Sequence, residues 1–123
     1  MAHRTGSTIF DAAVLGDLAD QLQSGTVARN YARKFMDLLQ PRHERILAAL
    51  GEDDTPASLG AVLSLKVNAH MVGALAVEQT CQSLQRCVLN GDTPAATRHA
   101  EALPRDIDAV KDAITKFLSG ALH

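Results

Sequence analysis

Tryptophan is absent, and aromatic residues make up only 3% of the chain. Strands draw heavily on aromatic and β-branched side chains, so a β-rich core is disfavoured. Ala and Leu dominate instead, the composition of packed helices. There is no excess of either charge: the formal net charge is -2 and the pI is near 6.2. That balance gives no electrostatic footprint for nucleic acid or for an anionic membrane. No apolar run approaches the length needed to span a bilayer. The start of the chain, MAHRTGSTIFD, lacks the apolar segment of a secretory leader. A cytoplasmic protein is expected.

Cysteine is scarce too. Cys81 and Cys87 lie six apart in one predicted helix, so they point to different sides and are poorly placed to bridge. Both are read as reduced, Cys81 as a small core filler and Cys87 as a partly buried thiol. No His, Cys, Asp or Glu pair has zinc spacing. The acidic run Glu52-Asp53-Asp54 lacks the Gly and terminal Glu of a calcium loop and reads as a helix-connecting turn. There is no Gly-rich phosphate loop and no assignable Ser-His-Asp set, so neither a metal, nor a cofactor, nor an enzyme with its own chemistry is expected.

What is present is helical. Apolar residues reach 46% of 123 residues, enough for one domain with a real core. Asp11 reads as the N-cap of a first helix to about Gln23, striped by Val14, Leu15, Leu18 and Leu22. After Ser24-Gly25-Thr26 a second helix runs from about Val27 to Leu50, with Pro41 expected to kink or split it. Thr55-Pro56 reads as cap and first helical residue of a third helix, to about Val72, where Gly73 weakens or bends the chain. A fourth spans about Ala74 to Leu89. Thr93-Pro94 repeats the start signal for a fifth, to about Leu118, kinked at Pro104. The fold class expected is all-α: an antiparallel four-helix bundle with an additional short N-terminal helix. Residues 9–118 form the single domain. Residues 1–8 are expected to be disordered, 119–123 form a C-terminal tail, and the whole reads as a free-standing protein.

The third helix is apolar on two faces. Val62, Leu65, Ala69 and Val72 form one core stripe. Leu59, Leu63 and Val67, continued by His70, form a second, offset stripe. The first helix, a partner protein, or a second copy in a homodimer would have to cover it. The short first helix reaches only part of a long neighbour, which favours a partner. His43, between Arg42 and Glu44-Arg45, reads as part of a solvated face.

The order of these segments resembles the histidine-phosphotransfer (HPt) domain family. Its members carry a helix reading A-H-x-L-K-G-S-x-x-x-x-G-A, then a helix reading x-x-L-x-x-x-C-x-x-L-E and often a G-D turn. This chain has VLSLKVNAHMVGA, LAVEQTCQSLQ and NGD, matching at Leu65, Lys66, Gly73, Ala74, Cys81, Leu84, Gly91 and Asp92. Upstream, IFDAAVLGDL and FMDLLQPRHERILAAL resemble the family's opening helices, so the likeness spans about Ile9 to Leu118. The departures fall at one place. The family's phospho-accepting His falls on Leu63, its next-turn Gly on Val67, and its Ser or Ala positions on Asn68 and Ala69. Lys66, which in the family helps hold the phosphoryl group, is kept. Leu has no nucleophilic atom, so the resemblance implies a pseudo-HPt domain.

Its docking face would centre on Leu59, Leu63, Lys66, Val67 and His70, and its partner would be a response-regulator receiver domain or another histidine-kinase pathway protein. His70, seven residues after Leu63, is the one substitute acceptor on nearly the same face, roughly 10 Å further along the axis. In-line transfer tolerates only a fraction of that displacement.

Overall fold

The computed structural model describes residues 8–120. Five helices follow in order: α1 Ala12–Leu22, α2 Gly25–Gly51, α3 Thr55–Val72, α4 Leu75–Leu89 and α5 Thr93–Gly120. Helices α2 to α5 form the bundle, and α1 packs across α2 and the end of α3. The expected all-α class and the short first helix are what the structure shows. The tail residues 119 and 120 continue α5. His3, His123 and most of the two expected terminal tails lie outside the described residues.

Four of the five helix starts are set by acidic or hydroxyl caps; α4 starts after Ala74 without a side-chain cap. Asp11 accepts from the Ala13 N–H, and Ser24 accepts from the Val27 N–H at 3.1 Å, so α2 begins two residues before Val27. The two Thr-Pro signals need a one-residue correction. The cap of α3 is Asp54, whose carboxylate takes the Ala57 N–H at 3.0 Å, and Asp92 takes the Ala95 N–H at 3.1 Å. In each case Thr is the first helical residue. A charged carboxylate just outside the helix satisfies an orphan N–H and faces the positive end of the macrodipole.

Gly73 ends α3 rather than bending it. It adopts φ +81° as the left-handed C-cap. The Asp11 N–H donates to the Gly73 carbonyl at 2.8 Å, and the Ala76 N–H donates to the Ile9 carbonyl at 3.2 Å. A Cβ at position 73 would overlap the Asp11 carbonyl oxygen. The segment that caps α1 is thereby tied to the α3–α4 turn. Phe10 is buried beside it, edge-on to Phe117 of α5 with ring centroids 5.7 Å apart.

The core takes the stripes expected. Val62, Leu65, Ala69 and Val72 are fully enclosed, as are Leu39, Ile46, Leu84, Leu103 and Ile114. Cys81 is among them. Burial pushes its thiol up to about 12 from an ordinary 9.0, against a partial opposing pull from Lys66. Both cysteines are free, and Cys87 is only half-buried.

Neither proline splits its helix: α2 runs through Pro41 and α5 through Pro104. A helix-interior proline orphans the carbonyl four residues back. For Pro41 that is Asp37, an exposed residue that water can reach. For Pro104 it is Ala100, which is fully buried. The orphan is satisfied across the bundle: His43 Nε2 donates to the Ala100 carbonyl at 2.8 Å. His43 is therefore not on a solvated face. It is only 9% exposed, in line with Leu39, Ile46 and Leu50 on the buried side of α2. Its charged neighbours point away.

Two predictions follow from this packing. His43→Leu should cost about 2 kcal/mol in urea unfolding, because it strands a buried carbonyl. With Pro104→Ala in place, residue 104 regains its N–H. The same histidine change should then cost on the order of 1 kcal/mol less; additive costs would refute the pairing. Separately, a maleimide at neutral pH should label native protein rapidly at Cys87 alone, with Cys81 reacting only on unfolding. Equal labelling of both thiols, read by peptide mass, would contradict the packing.

Candidate functional site

The second stripe of α3 stands open along its middle. At about 100° per residue, Leu63 and Val67 point almost directly away from the Leu65 core line, with Leu59 and His70 to one side. Val67 is 54% exposed, Leu59 and Leu63 are half-buried, and the His70 side chain is 73% exposed. Helix α1 covers only the C-terminal end of α3: Val14 and Leu18 line a hollow with His70 and Met71. The result is an apolar ridge along one face of the bundle, flanked by polar side chains held in place by neighbouring helices.

On the α4 side, Lys66 is half-buried and donates to Gln85 Oε1 at 2.7 Å. It is thus not the free solvated side chain that its charge suggests. Further along, His70 Nδ1 lies 2.9 Å from Glu78 Oε2. This exposed pair is an ion pair only when the imidazole is protonated. The contact commits Nδ1 to Glu78 and leaves Nε2 as the nitrogen available to a reactant.

On the α2 side, the Tyr31 hydroxyl donates to Asn68 Oδ1 at 2.6 Å, and Asn68 Nδ2 donates to the Ser64 carbonyl at 2.7 Å. Arg42 reaches the same carbonyl at 3.5 Å. Two hollows run between α2 and α3, of about 280 and 190 Å³, and they share Leu38 and Arg42.

Of the five residues expected to form a docking face, four lie in one line along α3: Leu59, Leu63, Val67 and His70. Lys66 sits on the flank and is tied to α4. Tyr31, Asn68, Arg42, Gln85 and Glu78 complete the rim, a role that periodicity does not assign to them. Tyr31 falls at helical spacing with Phe35, Leu38 and Leu39, which reads as a core stripe, yet its hydroxyl is part of the rim network. A tyrosine on the edge of an apolar stripe is the one hint, since its ring can be buried while its hydroxyl seeks a partner.

The site offers hydrogen-bond donors, an imidazole and an apolar ridge. At position 63 it offers no nucleophile. Among the described residues no three His, Cys, Asp or Glu side chains gather as a metal site, and no helix is long and apolar enough to cross a membrane.

Comparison with known proteins gives a consistent result. The family model described as Hpt domain matches residues 30–113. No curated protein matches the chain. Among solved structures, the chain resembles the HPT domain of a sensor hybrid histidine kinase from Shewanella, with a TM-score of 0.73 at 18% identity over 94% of this chain and 97% of that one. It also resembles histidine-containing phosphotransfer protein B (HptB) from Pseudomonas aeruginosa PAO1, with a TM-score of 0.77 at 20% identity, over 87% of this chain and 91% of the other.

Proposed function

The chain belongs to the Hpt domain family, whose members serve phosphorelay signalling between histidine kinases and response regulators, and from that premise we propose that it is a docking module that does not carry phosphate. Its partner is a response-regulator receiver domain or a related pathway protein, bound on the α3 ridge. The observation that carries this reading is Leu63. It occupies the place of the family's phospho-accepting histidine, on the outward face, and it has no atom that can take a phosphoryl group in any protonation state. Val67 adds bulk one turn on, where the family keeps a glycine. Both changes turn a reactive, accessible spot into an apolar one.

An apolar centre with a polar rim is the anatomy of a protein interface. Burying Leu63 in a partner would strengthen docking where a charged phosphohistidine would not. Lys66 is engaged by Gln85, in keeping with a structural rather than a phosphoryl-holding role. The consequence for signalling is competition, in which the module occupies a receiver without draining its phosphate.

A second reading has one observation in its favour. The Glu78 contact at Nδ1 orients His70 and leaves Nε2 open to a phosphoryl donor. Against it stands the displacement of roughly 10 Å from position 63.

Calorimetric titration against a panel of isolated receiver domains tests the docking face. Leu63→Asp should leave thermal melting almost unchanged and weaken binding by about 30-fold, the scale of a central hot spot. Undiminished binding would place the interface elsewhere, and light scattering that shows a dimer dissociated by Leu63→Asp would assign the ridge to a second copy. The chemistry is tested separately with phosphoramidate and intact mass, beside a true carrier. No specific uptake is expected here. Acid-labile phosphorylation that vanishes in His70→Gln would make this a displaced-site carrier.

A further inference from the structure

Charge is not spread evenly around the bundle. Helix α3 contains no Asp or Glu. On α2, the helical rotation turns Lys34, Arg42 and Arg45 toward α3, and all three line the two joined hollows beside the ridge. The acids of the same stretch, Asp37 and Glu44, line neither hollow. Asp37 lines a hollow with Thr115 of α5, and Glu44 takes a hydrogen bond from Gln40. Among the described residues none of the three cations is within salt-bridge distance of a carboxylate. A chain whose net charge is -2 thus presents one cationic, carboxylate-free groove. Apolar side chains line it as well: buried Phe35 and Ala61, with half-buried Leu38.

We infer that this α2–α3 groove selects the partner by gripping an acidic amphipathic helix. The helix would set its carboxylates against Lys34, Arg42 and Arg45 and its apolar side on Leu38 and the adjoining ridge. The inference rests on the docking reading and adds the chemistry of the bound surface. Complementary charge at an interface rim governs encounter rate and excludes like-charged competitors. The apolar lining supplies burial that charge alone does not. A groove between two helices is also the shape that an amphipathic helix fills.

The test uses the full chain and a labelled synthetic peptide of about four helical turns, with Leu at i,i+4 spacing flanked by Glu. Fluorescence anisotropy and amide chemical-shift mapping are the readouts. The Glu peptide should bind, shift resonances around the groove, and weaken about tenfold between ~0.05 M and ~0.5 M salt. Lys34→Gln with Arg45→Gln, both exposed and outside the core, should weaken it at least ~tenfold; adding Arg42→Gln should abolish it.

Equal binding of a Lys-for-Glu peptide, or equal binding of a single-stranded oligonucleotide, would overturn the inference. So would no shift at the groove, or no effect of the double variant. The receiver panel separates the two claims. Docking lost in Leu63→Asp but unchanged in the double variant keeps the ridge and refutes the groove. Peptide binding without any receiver docking keeps the groove and refutes the ridge.

Discussion

The carbonyl of Asp11 lies so close to the Cα of Gly73 that any side chain there would overlap it, and the left-handed φ at the same residue makes a substitution costly twice over. That approach sets where α3 stops. It fixes where α4 begins and where the chain entering α1 must pass. Because the entering segment is held at the α3–α4 turn, α1 lies over one end of α3 and leaves its middle uncovered. The tie at Gly73 thus goes together with an α1 that meets α3 at its His70–Met71 end.

The ridge gains meaning from its surroundings. Lone exposed leucines are ordinary on protein surfaces. Here Leu63 and Val67 sit between two sets of anchored polar groups, Lys66–Gln85 on one side and Tyr31–Asn68–Ser64 on the other. Held side chains lose little further freedom when a partner arrives, which lowers the entropic cost of binding. A phosphoryl carrier needs an accessible nucleophile at the same spot, with space around it. On the proposed reading, filling that space with Leu and Val keeps the docking geometry while removing the reaction.

Much of this was legible in the residues themselves. The Val62–Leu65–Ala69–Val72 stripe and the five-helix order both follow from local spacing and motif. The two Thr-Pro signals point one residue past the caps at Asp54 and Asp92, because a carboxylate is a stronger ligand for the N–H than the Thr that follows it. His43 has the spacing of a core position with Leu39, Ile46 and Leu50, but its three charged neighbours mask the period. Contacts such as Tyr31–Asn68 and Lys66–Gln85 join separate helices. They depend on the rotation of one helix against another, which periodicity along a single helix does not specify.

The bond from His43 to the Ala100 carbonyl joins a histidine in one helix to a defect created by a proline in another. Its value is conditional. In a lineage that loses Pro104, the Ala100 carbonyl returns to its own helix, and an imidazole in the core is left with a donor and no acceptor. In a lineage that loses His43 first, the proline becomes a liability. Neither change is neutral alone, and the order in which they occur decides which is tolerated. Positions 43 and 104 should therefore drift together across related sequences, although they lie far apart in the chain.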